Sequence, residues 1–322
     1  MSNFLLLLLI LVSSKALKYS GRTWMTSLPE YISSRPITTL AIPGSHDSFT
    51  SFLNVTAPFA QNTDQVIIDI INKFEHTEKI AKRVTKNWGV TQNVDIATQL
   101  SFGIRYIDIR VMRKIDDTEK QFWTAHSLYA VSVKSILEDS RDFVRENPGE
   151  IVFLDMNHFY GMDVSDHDDL HDLIVSILQE TLYTGNYDFD KLGLNEIKLS
   201  GNVVVIYHDS LYQPFVPGNG ISSPWSNTQD PDSLIDFLDT QLKNERPNGV
   251  LYVSQGVNTP DGKVIAHQPF KGLRKWESSI ISPLSNWILA QHADDNVHGV
   301  NIVITDFVTE EFVDQVVYLN YK

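Results

Sequence analysis

Two histidines in this chain stand where a proton could be taken and another given. His46 lies in AIPGSHDS, residues 41–48, and His126 in WTAHSLYA, residues 123–130. An imidazole titrates close to neutral pH, so a pair of them suits general base and general acid work, and carboxylate neighbours tune each one. Asp47 follows the first histidine directly, and Asp306 ends the apolar run of VITDFV at residues 303–308. Asp108 and Arg110 are two apart in YIDIRV, so in a strand they point to the same side. A guanidinium carries five donors and a permanent charge, which suits a phosphate. A base, an acid and a cation for the non-bridging oxygens are the parts that transfer at phosphorus requires.

These residues can act together only if the fold brings them together. Short β-rich runs occur at 38–42, 104–110, 122–125, 151–156, 203–207, 250–254 and 301–305. Helix-like stretches occupy 63–87, 132–146, 166–182, 232–245, 274–292 and 308–318. Ser132 can cap the second of these, and Asn147-Pro148-Gly149 ends it. Strands alternating with helices imply a parallel sheet with crossover connections, and one chain of this length without a linker favours an α/β fold built as a single (β/α) TIM-type barrel. The stretch 43–102 should hold a second stave, yet the pattern places none there. In such a barrel the strand ends open on one face. His46-Asp47, Asp108 and Arg110, His126, Asn157-His158 and Asp306 each follow or end a strand, so residues far apart in sequence would meet there. Taken singly, each could be no more than a polar residue that ends a strand.

Composition sets the limits. The 322 residues carry a net charge of −14 with no basic run, which argues against nucleic acid and disfavours simple electrostatic docking on an anionic leaflet. Phe4 to Val12 is an apolar run too short for a bilayer span, which needs about 20 residues. It suits the core of a signal peptide covering 1–16, with Ser14-Lys15-Ala16 at the cleavage point. The expected mature chain, 17–322, is then a secreted catalytic barrel with no transmembrane segment. There are no cysteines, and Asn54-Val55-Thr56 is a glycosylation sequon.

AIPGSHDS, FGIRYIDIRV, WTAHSLYA, NPGEIVFLDMNHFYG, LYVSQGVNTP and VITDFV, in that order, resemble the X domain of phosphatidylinositol-specific phospholipase C, and most closely the proteins that consist of the X domain alone. The resemblance runs from about residue 24 to 318. It implies a TIM barrel, often irregular or incompletely closed. It implies that His46 is the base on the inositol 2-hydroxyl and His126 the acid on the diacylglycerol oxygen, with Asp306 orienting His46 and Asp47 pairing with His126. Calcium-dependent members have acidic residues at the metal positions, whereas bacterial members have an arginine, as Arg110 is here. Asn157, where the calcium enzymes have a glutamate, points the same way, so no metal or other cofactor is expected. Asn157, Tyr207 and Gln255 lie at strand ends suited to the headgroup.

Other features carry less. Asp166-His167-Asp168-Asp169-Leu170-His171-Asp172 looks like a metal cluster but reads better as the solvated start of a helix. The loop Leu211 to Trp225 is rich enough in aromatic residues for a membrane interface, although core packing explains it equally. No Walker loop, HExxH or GxSxG is present. The expected function is cleavage of phosphatidylinositol-type lipids at a membrane surface, giving diacylglycerol and cyclic inositol phosphate. Its rivals are a non-catalytic binder of inositol phosphates or phospholipids on the same barrel, and a phosphodiesterase of another headgroup.

Overall fold

The computed structural model describes residues 20–63, 68, 78–114, 121–209, 211–212, 214–244, 246–294 and 297–322. The signal peptide expected at 1–16 and most of the first half of the helix expected at 63–87 lie outside them.

Among the described residues ten strands follow one another: β1 (Ile42–Ser45), β2 (Tyr106–Arg113), β3 (Phe122–His126), β4 (Leu128–Ser132), β5 (Val152–Tyr160), β6 (Val203–Tyr207), β7 (Val216–Pro217), β8 (Ile221–Ser222), β9 (Leu251–Gly256) and β10 (Ile302–Thr305). Eight of them form a parallel barrel in the order β7-β6-β5-β2-β1-β10-β9-β8. The staves are buried on both faces, which is why β6 reads VVVIY without alternation. The ring is nearly closed. Its one seam lies between β7 and β8, strands of two residues each joined by the turn Gly218–Gly220, and they pair with β6 and β9 respectively but not with each other.

The structure departs from the sequence reading in instructive ways. Residues 37–39 form a 3-10 turn, and the first strand begins at Ile42, so Pro43 and Gly44 lie within it rather than ending it. Pro43 is tolerated because its carbonyl, taken by the Arg105 N–H at 2.9 Å, faces β2, where pairing starts only at Gly44 opposite Tyr106. Gly44 is required by packing, since a Cβ there would lie 2.8 Å from Ile304 Cγ2 and 2.9 Å from the Tyr106 ring. The strand sought within 43–102 does not occur among its described residues, which hold the helices Glu78–Gly89 and Ile96–Phe102. The two missing staves come instead from the aromatic loop, as β7 and β8. β3 is no stave either. It forms an antiparallel hairpin with β4, laid along the extension Val111–Arg113 of β2.

Candidate active site

The inner face of the barrel is fixed by register. Gly44 pairs with Tyr106 and Ile304, Ile304 with Gln255, Asp108 with Asp155, and Asp155 with Ile206. Side chains therefore point inward at 44, 106, 108, 155, 206 and 255, and outward at the positions between. At the carboxyl ends of these strands, together with the tip of the β3–β4 hairpin, the inward chains converge.

Asp47 is the centre. It is fully buried, and its Oδ1 lies 2.7 Å from Arg110 Nε. Its Oδ2 lies 3.6 Å from His46 Nε2 and 3.8 Å from His126 Nε2. Burial works against its charge, but Arg110, His46 and His126 around it hold the carboxyl down at about 2. These contacts are ion pairs only: neither oxygen has an aligned hydrogen bond among the described residues.

The two imidazoles are held by their other nitrogens. His46 Nδ1–H donates to Asp306 Oδ1 at 2.7 Å, and His126 Nδ1–H donates to the Gly89 carbonyl at 2.9 Å. A carboxylate and a carbonyl can only accept, so both Nε2 atoms are left to face the site. Burial lowers the His46 pKa, but Asp47, Asp306 and Asp108 together overcome it and raise it to about 9. Asp306 itself touches a further acid. Glu277, buried beside it, accepts the Asn258 N–H at 3.3 Å, and burial followed by the charge of Asp306 pushes its carboxyl well up.

Asp108 does not face the ligand space as a free acid. Its oxygens accept from the Asp47 N–H at 2.9 Å and from the Asn157 amide at 2.6 Å, and burial followed by the charge of Asp47 raises its pKa. Asn157 thus acts as its clamp. Arg110 stays charged, because Asp47, Asp108 and Tyr160 outweigh its burial.

His46, Asp47 and Asp108 bring possible ligand atoms within 4.8 Å of one another. They do not fit calcium, which takes 6–8 oxygens. Both Asp108 oxygens are already used, and the Arg110 guanidinium sits against Asp47 where the ion's charge would be needed.

Tyr207 is not part of this cluster. It points outward, and its hydroxyl meets His167 Nδ1 at 2.7 Å within an aromatic group that includes Phe159 and Tyr212. That partner also means His167 is not simply solvated, although its helix does start at the acidic run, with Asp163 and Asp166 forming a capping box. Gln255 does point inward, but its amide is bound to the Ser223 carbonyl and hydroxyl at 3.1 and 3.0 Å. Of the aromatic loop, Phe215, Val216 and Ile221 are core, while Leu211 and Trp225 are exposed.

Sequence reasoning gave no role to Asp155. On the inner face below Asp108, its oxygens hold the Tyr106 hydroxyl at 2.5 Å and His208 Nε2 at 2.8 Å, which makes His208 the residue of that strand end that reaches inward. It also gave none to the strain in the backbone. Asp47, Ser127 and Phe307 have φ of 39°, 58° and 51°, and each directly follows a cluster residue: His46, His126 and Asp306. Left-handed backbone of this kind costs on the order of 1–3 kcal/mol per residue and is retained where neighbours enforce it.

A parallel barrel with paired histidines, an arginine and buried carboxylates at its carboxyl-terminal mouth defines a protein with the architecture of a phosphatidylinositol-specific phospholipase C. The enzyme of that name from Listeria monocytogenes superposes with a TM-score of 0.68 at 16% identity, covering 94% of this chain and all of that one. A Staphylococcus aureus enzyme of the same name gives 0.62 at 19%, over 93% and 98%. The mouse PI-PLC X domain-containing protein 3 is 34% identical over 92% of this chain and 93% of its own length, and mouse protein 2 is 35% identical over 92% and 87%. The chain belongs to the PI-PLC X domain-containing proteins. No protein-family model matches it.

Proposed function

We propose that this protein cleaves phosphatidylinositol-type lipids at a membrane surface, without a metal. The observation that carries the reading is the convergence of both His Nε2 atoms on one Asp47 oxygen whose partner oxygen holds Arg110. His46 Nε2, once deprotonated, takes the proton of the inositol 2-hydroxyl as that oxygen bonds to phosphorus. The bond from phosphorus to the glycerol oxygen breaks, and His126 Nε2 delivers a proton to the diacylglycerol that leaves. Arg110 balances charge on the non-bridging oxygens. A signal peptide at 1–16 and secretion belong to the same proposal, as do the exposed Leu211 and Trp225 as lipid contacts.

A second reading keeps the site as a binder of inositol phosphates. It is favoured by the His46 pKa of about 9, which at neutral pH leaves the base deprotonated in only about 1% of molecules and sets two cations, His46 and Arg110, at the mouth. Phosphorus NMR of phosphatidylinositol vesicles with the purified protein in EDTA, at pH 7 and at pH 9, decides between them. Cyclic inositol phosphate that forms faster at pH 9, and not with His46→Ala or His126→Ala, supports catalysis. Tight binding of inositol phosphate with no product at either pH would sink it in favour of the binder.

A further inference from the structure

Charge is distributed unevenly on this acidic chain. The helix Glu78–Gly89 carries Lys79, Lys82, Arg83 and Lys86 against the single acid Glu78, and residues 262–276 carry Lys263, Lys271, Arg274 and Lys275 with no acid at all. The two segments are fastened together. Trp88 Nε1 donates to the Pro269 carbonyl at 3.1 Å, the Trp88 and Trp276 rings lie 6.1 Å apart, and a Cβ on Gly272 would meet the Asn87 carbonyl at 3.0 Å. Gly272 itself needs its φ of 78° for that approach.

Between them is a cavity of about 500 Å³, lined by Asn87, Phe270, Lys271, Gly272, Arg274 and Lys275. Lys82 is not available to it, being buried and paired with Glu78 at 2.7 Å. Among the described residues no carboxylate lies within 4.0 Å of Lys271, Arg274 or Lys275, and Arg274 is steadied by the Phe307 ring at 5.4 Å. In a protein of net charge −14, three exposed cations around one cavity with no acid paired to them among the described residues present a locally positive surface to an anion from outside. Phe270, 66% exposed on the same wall, adds an apolar side chain next to the charge. Ile80, 55% exposed, lies seven residues before Asn87 and so on the same stripe of its helix.

We propose that this cavity, which adjoins the catalytic cluster but is lined by none of its residues, is a second anion site that takes a phosphate-bearing group. The exposed Phe270 and Ile80 favour the headgroup of an anionic phospholipid other than the substrate, with a free phosphate ester as the alternative source of the same chemistry. The expectation from net charge, that the chain is unsuited to an anionic surface, is then true of the whole molecule and false of this face. The site does not depend on turnover, so it can fail without the proposed reaction failing, and the reverse.

Two measurements on the whole protein test it. In ¹H–¹⁵N spectra, inorganic phosphate should shift the Gly272 amide and the Trp88 and Trp276 indole signals. Lys271→Ala/Lys275→Ala should abolish those shifts, whereas Arg110→Gln should leave them, which separates this cavity from the mouth. Both lysines are exposed, so the double variant is expected to fold. In flotation with phosphatidylcholine vesicles with and without phosphatidylglycerol, the double variant should lose roughly 10- to 30-fold of the gain that the anionic lipid gives, at about 1 kcal/mol for each lysine near the surface. Shifts together with the vesicle loss support a lipid headgroup. Shifts without it support the site and assign it to a soluble phosphate ester. Shifts that persist in the double variant, or an absence of shifts whatever the vesicles show, overturn the proposal.

Discussion

Two arginines five residues apart along the chain each pair with a buried carboxylate and are used in opposite ways. Arg105, just before β2, bonds Glu150 through Nε and Nη2 at 3.0 and 2.8 Å and gives its remaining donors to the carbonyls of Leu100, Ile104 and Arg22. Glu150 fills its other oxygen with the N–H and hydroxyl of Thr26 at 2.8 and 2.6 Å. Both side chains are wholly buried and saturated. Arg110, five residues on, also pairs with a buried carboxylate, yet Asp47 has no aligned hydrogen bond and Arg110 keeps 24% of its side chain exposed. The lower pair spends its bonding capacity on the fold, tying the first residues of the barrel to its base. The upper pair holds capacity open for something that arrives from outside.

The largest effect that tests this contrast is on turnover. His46→Ala and His126→Ala should each lower the rate of cyclic inositol phosphate formation by about 10²- to 10⁴-fold, the usual contribution of one proton transfer, with both variants still folded and only His46→Ala giving up the stability that its raised pKa supplies. If either variant unfolded instead, the mouth would be as structural as the base. The mirror experiment comes next. Arg105→Met should destabilise the fold by about 3–5 kcal/mol by stranding Glu150, and the molecules that remain folded should turn over normally. Arg110→Met should lose activity and, because His46 and His126 still face Asp47, should destabilise less than Arg105→Met in urea unfolding; equal destabilisation by the two would break the comparison.

The sequence made one pair far easier to recognise than the other. The upper cluster was legible because its residue types are chemically unusual and each stands near a strand end. His46, Asp47, Asp108, Arg110, His126, Asn157 and Asp306 do meet in space. The barrel was legible from strand–helix alternation, but not its closure, because β7 and β8 are two-residue strands whose pairing depends on tertiary contacts rather than on any local pattern. Tyr207 shows the limit at single-residue resolution. In a strand buried on both faces, hydrophobic pattern does not say which side chains point inward, and a slip of one residue exchanges Tyr207 for His208. Glu150 and Arg105 gave no signal, since a charge in a sequence does not announce that it will be buried.

Acidity gives the third test. The mouth should respond to pH between 6.5 and 9, because that is the interval through which His46 is raised. A base must be unprotonated, so kcat/KM should climb as pH rises towards about 9 rather than level off near 7. Stability should move the other way. The raised pKa favours the folded state fully below 6.5, and that contribution, about 3 kcal/mol, is lost as pH rises through 9. Urea unfolding across this range should therefore show a decline that His46→Gln flattens. A decline that persists in the variant would place the sensitive group elsewhere.

The smallest effect concerns Glu277, and it asks how finely the upper cluster is adjusted. Its carboxyl lies beside Asp306 with its pKa pushed well up, which favours a protonated form that would donate to Asp306 and draw negative charge from the carboxylate that holds His46. Glu277→Leu removes that donor and strengthens the hold of Asp306 on the imidazolium. The rising limb of kcat/KM should move to higher pH, and turnover at pH 7 should fall by roughly 3- to 10-fold, the scale of one ordinary hydrogen bond. Glu277→Gln keeps a donor in the same place and cannot ionise, so its limb should stay with the parent. The difference between the two variants is the informative quantity, because a purely structural role for this buried side chain would alter stability without moving the pH profile. Profiles that coincide for Leu and Gln would leave Glu277 with the base pair as part of the fold, and would set the boundary of the functional cluster at Asp306.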